Sequence, residues 1–257
     1  MAYLAGNNAE KLETFIRIRA SQENTDQVCW FRGKVYAYIP GETHIPLFTL
    51  EGYNIARAEK VEGGYDFITR EAVFYKDPVT DQILDTWTNP WTGETCKVIH
   101  ILNDPVNAKF RAEQFGVPME AWGDDVHTAT DVFLKYPNPL PKAEWPREST
   151  GDIYQGAELF RFMASRAELE GAAPSVACNI SWVRFAPWTP WMLAGDQPGN
   201  LVYHTGGKKL MGGYSELPTD IRAKIESDHP EYLTAPSEFS TPNETSWTYY
   251  KKQSSPR

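Results

Sequence analysis

The residue best suited to proton transfer is a glutamate among apolar neighbours. Glu71 shares one face of an alternating segment with Phe67, Val73 and Tyr75. Burial of a carboxylic acid among such side chains disfavours its charged form and raises its pKa, which suits a general acid. A salt bridge to a base on a neighbouring strand, such as Arg32, is the structural alternative for Glu71.

His100 and Asp104 are two further acid–base candidates. His100 lies between Val98 and Leu102 on a predicted strand face. An imidazole there could move protons near neutral pH, although a hydrogen-bonded core histidine would show the same pattern. Asp104 precedes Pro105, and a residue before proline favours an extended backbone. Asp104 is therefore a candidate either for capping a turn or for orienting the imidazole or meeting a substrate group.

Arg184 is the candidate for binding a substrate oxygen. It shares a predicted strand face with Ile180 and Trp182. A guanidinium beside an indole can bind a carboxylate, an enolate or a carbonyl group. A structural salt bridge is the alternative for Arg184.

Aromatic residues are the strongest positive signal for a ligand site. They make up 13% of the chain, with 9 tryptophans. An aromatic pocket would suit an apolar, polyunsaturated or aromatic ligand, whereas the same rings could also fill a core and plug a loop. The candidate substrate-binding residues are Trp182, Trp188, Trp191, Trp87, Tyr53 and Tyr75.

Neither a cofactor nor a metal is indicated. The sequence contains no GxGxxG, GxxxxGK[ST], HExxH or GxSxG motif. Cys29, Cys96 and Cys178 are too far apart for metal-site spacing and are predicted to be reduced thiols. We therefore predict no cofactor and no metal.

Charge and hydropathy limit the classes of partner. The chain has 34 acidic against 25 basic residues, a net charge of −9, which disfavours nucleic acid. The polar N-terminus does not resemble a signal peptide, and no apolar run is long enough to span a bilayer. These features predict a cytoplasmic protein whose partner is an apolar small-molecule substrate, with a homodimer left open.

Periodicity predicts a mainly β protein with short flanking helices. Residues 8–20 show helical spacing, and alternation predicts strands over 29–39, 46–57 and 65–75. Tight turns continue the last strand as an antiparallel meander to Asn103. Further strands are predicted over 127–136, 154–166 and 175–185, whereas 186–213 has no clean period and 217–227 has a helical pattern.

About eight antiparallel strands predict a single domain over residues 1–257. They close best into an antiparallel β-barrel, lipocalin-like, or into a strongly curved sheet, which could hold one small ligand. A two-sheet sandwich with a filled core is the alternative. Residues 1–24 are predicted to be an N-terminal helical arm and residues 237–257 a loosely ordered tail.

Two stretches of sequence carry a family resemblance. One comprises residues 85–94 (DTWTNPWTGE) with 100–106 (HILNDPV), and the other residues 182–192 (WVRFAPWTPWM). Together they resemble an uncharacterised family of bacterial and fungal proteins, domain-of-unknown-function family 1838, over about residues 30–236. The resemblance implies no established activity. The association of fungal members with secondary metabolism implies a cyclase or isomerase role.

Three functions are consistent with these observations. The first is a cofactor-independent cyclase, isomerase or lyase in which Arg184 polarises a carbonyl and His100 or Glu71 moves a proton. The second is a non-catalytic carrier or sensor with the same pocket. The third is an interaction protein whose tryptophan-rich loop contacts a partner.

Overall fold

The fold was analysed in a computed structural model that describes residues 6–255. Most of its regular structure is β, with twelve strands and four α-helices among these residues. The helices are α1 (Asn8–Arg19), α2 (Arg166–Glu170), α3 (Thr219–Asp228) and α4 (Ser246–Gln253). The strands are β1 (Gln27–Tyr38), β2 (Ile45–Val61), β3 (Gly64–Lys76), β4 (Thr86–Thr88), β5 (Thr95–Lys97), β6 (Ile101–Asn103), β7 (Ala108–Arg111), β8 (Met119–Trp122), β9 (Asp125–Pro137), β10 (Ile153–Ser165), β11 (Asn179–Ala186) and β12 (Asn200–Leu210).

Ten strands form one antiparallel sheet, in the order β6-β3-β2-β1-β12-β11-β10-β9-β8, with β7 also paired to β3. Strands β4 and β5 form a separate hairpin. The mainly β, antiparallel prediction is confirmed. Closure into a barrel is not confirmed, because hydrogen bonding across residues 6–255 runs from β6 to β8 without joining the two ends.

The sheet curves so that one of its faces surrounds an internal space. Side chains from β3 and from β9, which are far apart in the strand order, line the same cavity. Glycines on this inner face allow the close approach of neighbouring strands. A Cβ on Gly33 would lie 2.0 Å from the His204 carbonyl oxygen, and one on Gly52 would lie 2.3 Å from that of Ala72.

Helix α1 packs across the space between the two ends of the sheet. It begins in a capping box in which the Asn7 side chain and the Glu10 carboxylate each accept a backbone hydrogen bond of 3.1 Å. Phe15 contacts Phe110 on β7 and Phe162 on β10, with ring centroids 5.4 and 6.1 Å apart. The predicted N-terminal helix is thus present and buries its apolar face against both ends.

The outer face of the sheet is packed in one half and bare in the other. On β1–β3, outward side chains such as Tyr53, Ile55 and Phe74 pack with Ile221 and Ile225 of α3. We call this the covered half. On β9–β12, outward side chains face solvent, and we call this the bare half.

Three segments differ from the sequence prediction. Strand β12 lies in the middle of the sheet, between β1 and β11, within the stretch 186–213 that showed no clean period. The predicted meander is interrupted, because a single bridge, Lys76 to Ile83, follows β3 and the β4–β5 hairpin leaves the large sheet before β6 returns to pair with β3. Within the predicted loose tail, residues 246–253 form α4, whose Trp247 and Tyr250 are buried.

No helix in the described part of the chain is both long and apolar enough to cross a membrane.

Candidate functional site

The inner face encloses a cavity of about 500 Å³, a size suited to a small ligand. Its walls come from β1, β2, β3 and β9–β11, with α1 on one side and the segment 243–246 on another. We call it the Glu71 cavity. Five charged side chains line it: Arg19, Glu71, Glu158, Arg184 and Glu244, the last of which forms a salt bridge with Lys252.

Glu71 is the acid of this cavity. It is half-buried, and it lines both the main cavity and a small recess behind it. Burial, followed by repulsion from the Glu158 carboxylate, raises the pKa of Glu71 to about 7, while Arg19 and Arg184 oppose the shift. No salt bridge joins Glu71 to another residue within 6–255, so Arg32 is not its partner. At neutral pH, Glu71 can both give and accept a proton.

Arg184 reaches the same cavity from β11. Its Nη2 donates a 3.1 Å hydrogen bond to the Tyr154 hydroxyl, and its Nε lies 3.6 Å from a Glu158 carboxylate oxygen. The guanidinium carbon is 5.4 Å from the ring centroid of Tyr203 and 6.0 Å from that of Trp247. The buried Nε has no hydrogen-bond partner. Arg184 is therefore held in place and keeps donors beyond its bond to Tyr154.

Arg19 supplies a second positive charge from the last turn of α1. Its Nη2 donates a 2.9 Å hydrogen bond to the Asn54 side-chain oxygen, and its Nη1 donates to the Cys29 sulfur at 3.0 Å. The guanidinium carbon lies 5.2 Å from the Phe67 ring centroid and 5.7 Å from that of Phe162. The charge of Arg19 favours the ionised form of Glu71.

Aromatic rings line the rest of the cavity. Trp182 contacts Phe31, with ring centroids 5.5 Å apart, and stacks on Phe160 at 6.1 Å. Asn103 and Thr130, which also line the cavity, each have a buried side-chain oxygen without a hydrogen-bond partner. The buried indole nitrogen of Trp182 has no hydrogen-bond partner either. The cavity thus combines apolar walls with a few polar groups, as small-molecule sites do.

His100 and Asp104 lie away from this cavity. The Nδ1 of His100 accepts a 3.2 Å hydrogen bond from the Tyr75 backbone, and burial lowers its pKa to about 3. His100 lines a separate crevice beside α3 and α4. Asp104 forms a 3.2 Å salt bridge with Arg70, and burial raises its pKa. The structure therefore brings Glu71 and Arg184 together, without His100 or Asp104.

Most of the predicted substrate-binding rings lie in the core. Trp188 and Trp191 are buried, and the Trp188 indole donates to the Gln197 carbonyl at 2.8 Å. Trp87 packs against Trp191, with centroids 5.8 Å apart. Tyr53 lies on the covered half and donates to the Tyr232 carbonyl at 2.7 Å. Of the predicted rings, Trp182 alone lines the Glu71 cavity.

Tyr75 does not line the cavity but lies next to Tyr203, which contacts the cavity residue Arg184. Tyr75 is buried, and its hydroxyl is 3.2 Å from that of Tyr203, whose ring lies against Arg184. Burial and the neighbouring Tyr203 raise its pKa well above the usual range. Tyr75 therefore stays neutral and supports the residues that hold Arg184.

Three charged residues that line the cavity, Glu158, Arg19 and Glu244, are not among the candidates from the sequence. Glu158 lies on β10 between Ala157 and Leu159, and the alternation of that strand was a usable signal for its inward position. Arg19 was recognised as part of a helix, but a helical pattern alone does not reveal which cavity its end reaches. Across residues 6–255, no group of three or more His, Cys, Asp or Glu side chains is arranged to hold a metal ion.

Fold and site together define an antiparallel β protein with an internal, aromatic-walled cavity that is lined by three glutamates and two arginines. The chain belongs to the family described as "Protein of unknown function (DUF1838)", whose model matches residues 24–254. No curated protein matches the chain.

Proposed function

We propose that this protein is a cofactor-independent isomerase or cyclase whose substrate is an apolar, unsaturated carbonyl compound held in the Glu71 cavity. The supporting observation is that a carboxyl group with a pKa of about 7 and a positioned arginine line one aromatic cavity. Such a pair can transfer a proton and stabilise the negative charge that develops on a substrate oxygen.

The proposed step is a proton shift along a conjugated system. Ionised Glu71 removes a proton from a carbon next to the carbonyl, and the electron pair of that C–H bond moves into an enolate. Hydrogen bonds from Arg184 stabilise the enolate oxygen. Protonated Glu71 then returns the proton to a different carbon, which moves the double bond. No electrons leave or enter, so the reaction needs no oxidant or reductant.

The curved sheet would act as a barrel-like holder for this reaction. Rings of Trp182, Phe31 and Phe160 give the substrate an apolar surface that limits its conformations. The same surface would favour ring closure of a flexible polyene, which is the cyclase form of the proposal. Secondary metabolism supplies substrates of this chemical kind, so we place the activity there.

The test uses the purified protein with a panel of β,γ-unsaturated ketones, from monocyclic to tricyclic, in deuterium oxide. We expect conjugated isomers, detected by ultraviolet absorbance, and mass spectrometry should show that the transferred hydrogen is retained and not replaced by deuterium. The variant Glu71→Gln should lower the rate by about 100-fold or more, since one general acid–base group contributes about that much. The exposed Glu113→Gln serves as the matched control and should leave the rate unchanged.

A carrier function is the alternative outcome of the same experiment. Ketones that bind with micromolar affinity, measured by the change in tryptophan fluorescence, but remain unchanged would overturn catalysis and support a binding protein. Absence of both binding and turnover across the panel would overturn the proposed substrate class.

A further inference from the structure

The bare half of the sheet exposes an apolar surface that is unusual for a solvent-facing strand face. Phe133 on β9 is 76% exposed, Ile153 on β10 is 51% exposed and Phe185 on β11 is 45% exposed. Val183 on β11 and Val202 on β12 add partly exposed apolar side chains next to Phe185. Contiguous apolar patches of this kind mark interaction surfaces.

The strand register arranges these residues in rows. One row runs across β9, β10, β11 and β12 as Phe133, Ala157, Phe185 and Val202. The next row contains Asp131, Leu159, Val183 and His204. The first row therefore combines large and small apolar groups, and the second has an acid at one end and a histidine at the other, and a partner surface has to match both.

We propose that the bare half packs face to face against the bare half of a second copy of this chain. A two-fold axis parallel to the strands, between β10 and β11, exchanges β9 with β12 and β10 with β11 of the partner. In one row Phe185 then faces Ala157, and Phe133 faces Val202. In the next row Asp131 faces His204. The surface is thus complementary to itself, as a two-fold interface requires.

The size of the bare half also fits a dimer. Four strands at about 4.8 Å spacing span about 19 Å, and their mean length of about 11 residues at about 3.3 Å each gives about 37 Å. Their product is about 700 Å² for each partner, within the range of stable protein interfaces. The register partners Lys135 and Gln155 lie between Ile153 and the row of Phe133 and Ala157, so the proposed interface also includes polar side chains.

The proposed interface lies directly behind the Glu71 cavity. On β10, Glu158 lies between Ala157 and Leu159, and on β11, Arg184 lies between Val183 and Phe185. Because successive strand residues point to opposite faces, the strands that would form the dimer also carry the charged pair of the cavity.

Sedimentation velocity of the full-length protein tests the interface. We expect the wild type to sediment as a dimer at micromolar concentration and Phe185→Asp to sediment as a monomer, with at least a 100-fold weaker association. Val79→Asp is the matched control, because Val79 is 89% exposed outside the bare half, and it should remain dimeric. Circular dichroism shows whether each variant is folded.

A charge exchange tests the geometry. His204→Asp places two carboxylates opposite each other and should weaken the dimer at least tenfold, whereas adding Asp131→His to it should restore association. A wild type that remains monomeric at about 100 μM would overturn the proposal, since interfaces of this size associate at micromolar concentrations or below. A dimer that survives both Phe185→Asp and His204→Asp would overturn the assigned surface.

Discussion

Glu51 and Glu71 are glutamates on adjacent strands that point to opposite faces of the sheet, and their surroundings differ completely. On the outer face, Glu51 accepts hydrogen bonds from Lys76 and Arg32, both at 2.7 Å, and from the Trp30 indole at 3.2 Å. On the inner face, Glu71 has no salt bridge with any residue of 6–255 and borders the cavity.

The difference separates a structural carboxylate from a reactive one. The charge of Glu51 is fully compensated by its donors, so it binds neighbouring elements together and has no capacity left for a ligand. Glu71 lacks that compensation, and its proton is held at a pKa of about 7. The residue type is the same, so the surroundings on the two faces decide the role.

The largest expected effect is the loss of Glu51. Glu51→Gln leaves the Lys76 ammonium, whose side chain is 2% exposed, without its most buried partner. Breaking one side of a buried ion pair costs about 3 to 5 kcal/mol, and we expect that loss in the free energy of unfolding. Urea unfolding at neutral pH measures it, with Glu113→Gln as the control. A loss no larger than that of the control would contradict the structural role of Glu51.

A smaller effect of opposite sign is expected at Glu71. Because its pKa is about 7 in the folded protein against 4.5 for an unperturbed glutamate, the folded state binds this proton more tightly than the unfolded chain. Stability is therefore lost as pH rises from 4.5 through 7. Glu71→Gln removes that loss and should stabilise the protein by about 3 kcal/mol at pH 8, but not at pH 4.

Urea unfolding of wild type and Glu71→Gln across this pH range provides the measurement. The control is Glu113→Gln, which changes an exposed side chain outside the cavity lining and should leave stability unchanged at both pH values. An equal effect of Glu71→Gln at both pH values would show that the Glu71 carboxyl is solvated like a surface acid, and would remove its acid–base role.

The smallest effect is expected at the exposed margin of the Glu51 network. Asp220 on α3 contacts Lys76 at 2.9 Å, but its side chain is 50% exposed. Exposed ion pairs contribute about 1 kcal/mol or less and are weakened by salt. Asp220→Asn should therefore lower the free energy of unfolding by less than about 1 kcal/mol, and the difference should shrink in 1 M salt. A loss as large as that of Glu51→Gln would contradict the minor role assigned to the exposed Asp220 carboxylate.

Prediction from sequence succeeded where the pattern was local. The alternation in β1 and the turn at Gly63 between β2 and β3 were sufficient to locate those strands within a few residues. Strand β12 was missed because Gly206 and Gly207 interrupt its apolar pattern and a proline-rich stretch precedes it. Its inward residues Leu201 and Tyr203 were the available signal.

For the site, strand alternation correctly placed Glu71, Trp182 and Arg184 on inward faces. The same reasoning could not exclude His100, since its ring nitrogen accepts a backbone hydrogen bond from Tyr75, a residue 25 positions away. It could not include Arg19 either, because the end of α1 reaches the cavity only through packing across the two ends of the sheet.

The sequence by itself determined the antiparallel β class, the strand faces and the presence of a buried acid among aromatic residues. Alternation and turns encode these features within a few residues of chain. Only the tertiary structure decided that Glu71, Arg184, Glu158 and Arg19 share one cavity, while Glu51 pairs with Lys76 on the opposite face. Those relations depend on sheet curvature and on contacts between residues far apart in the chain, and no local pattern specifies them.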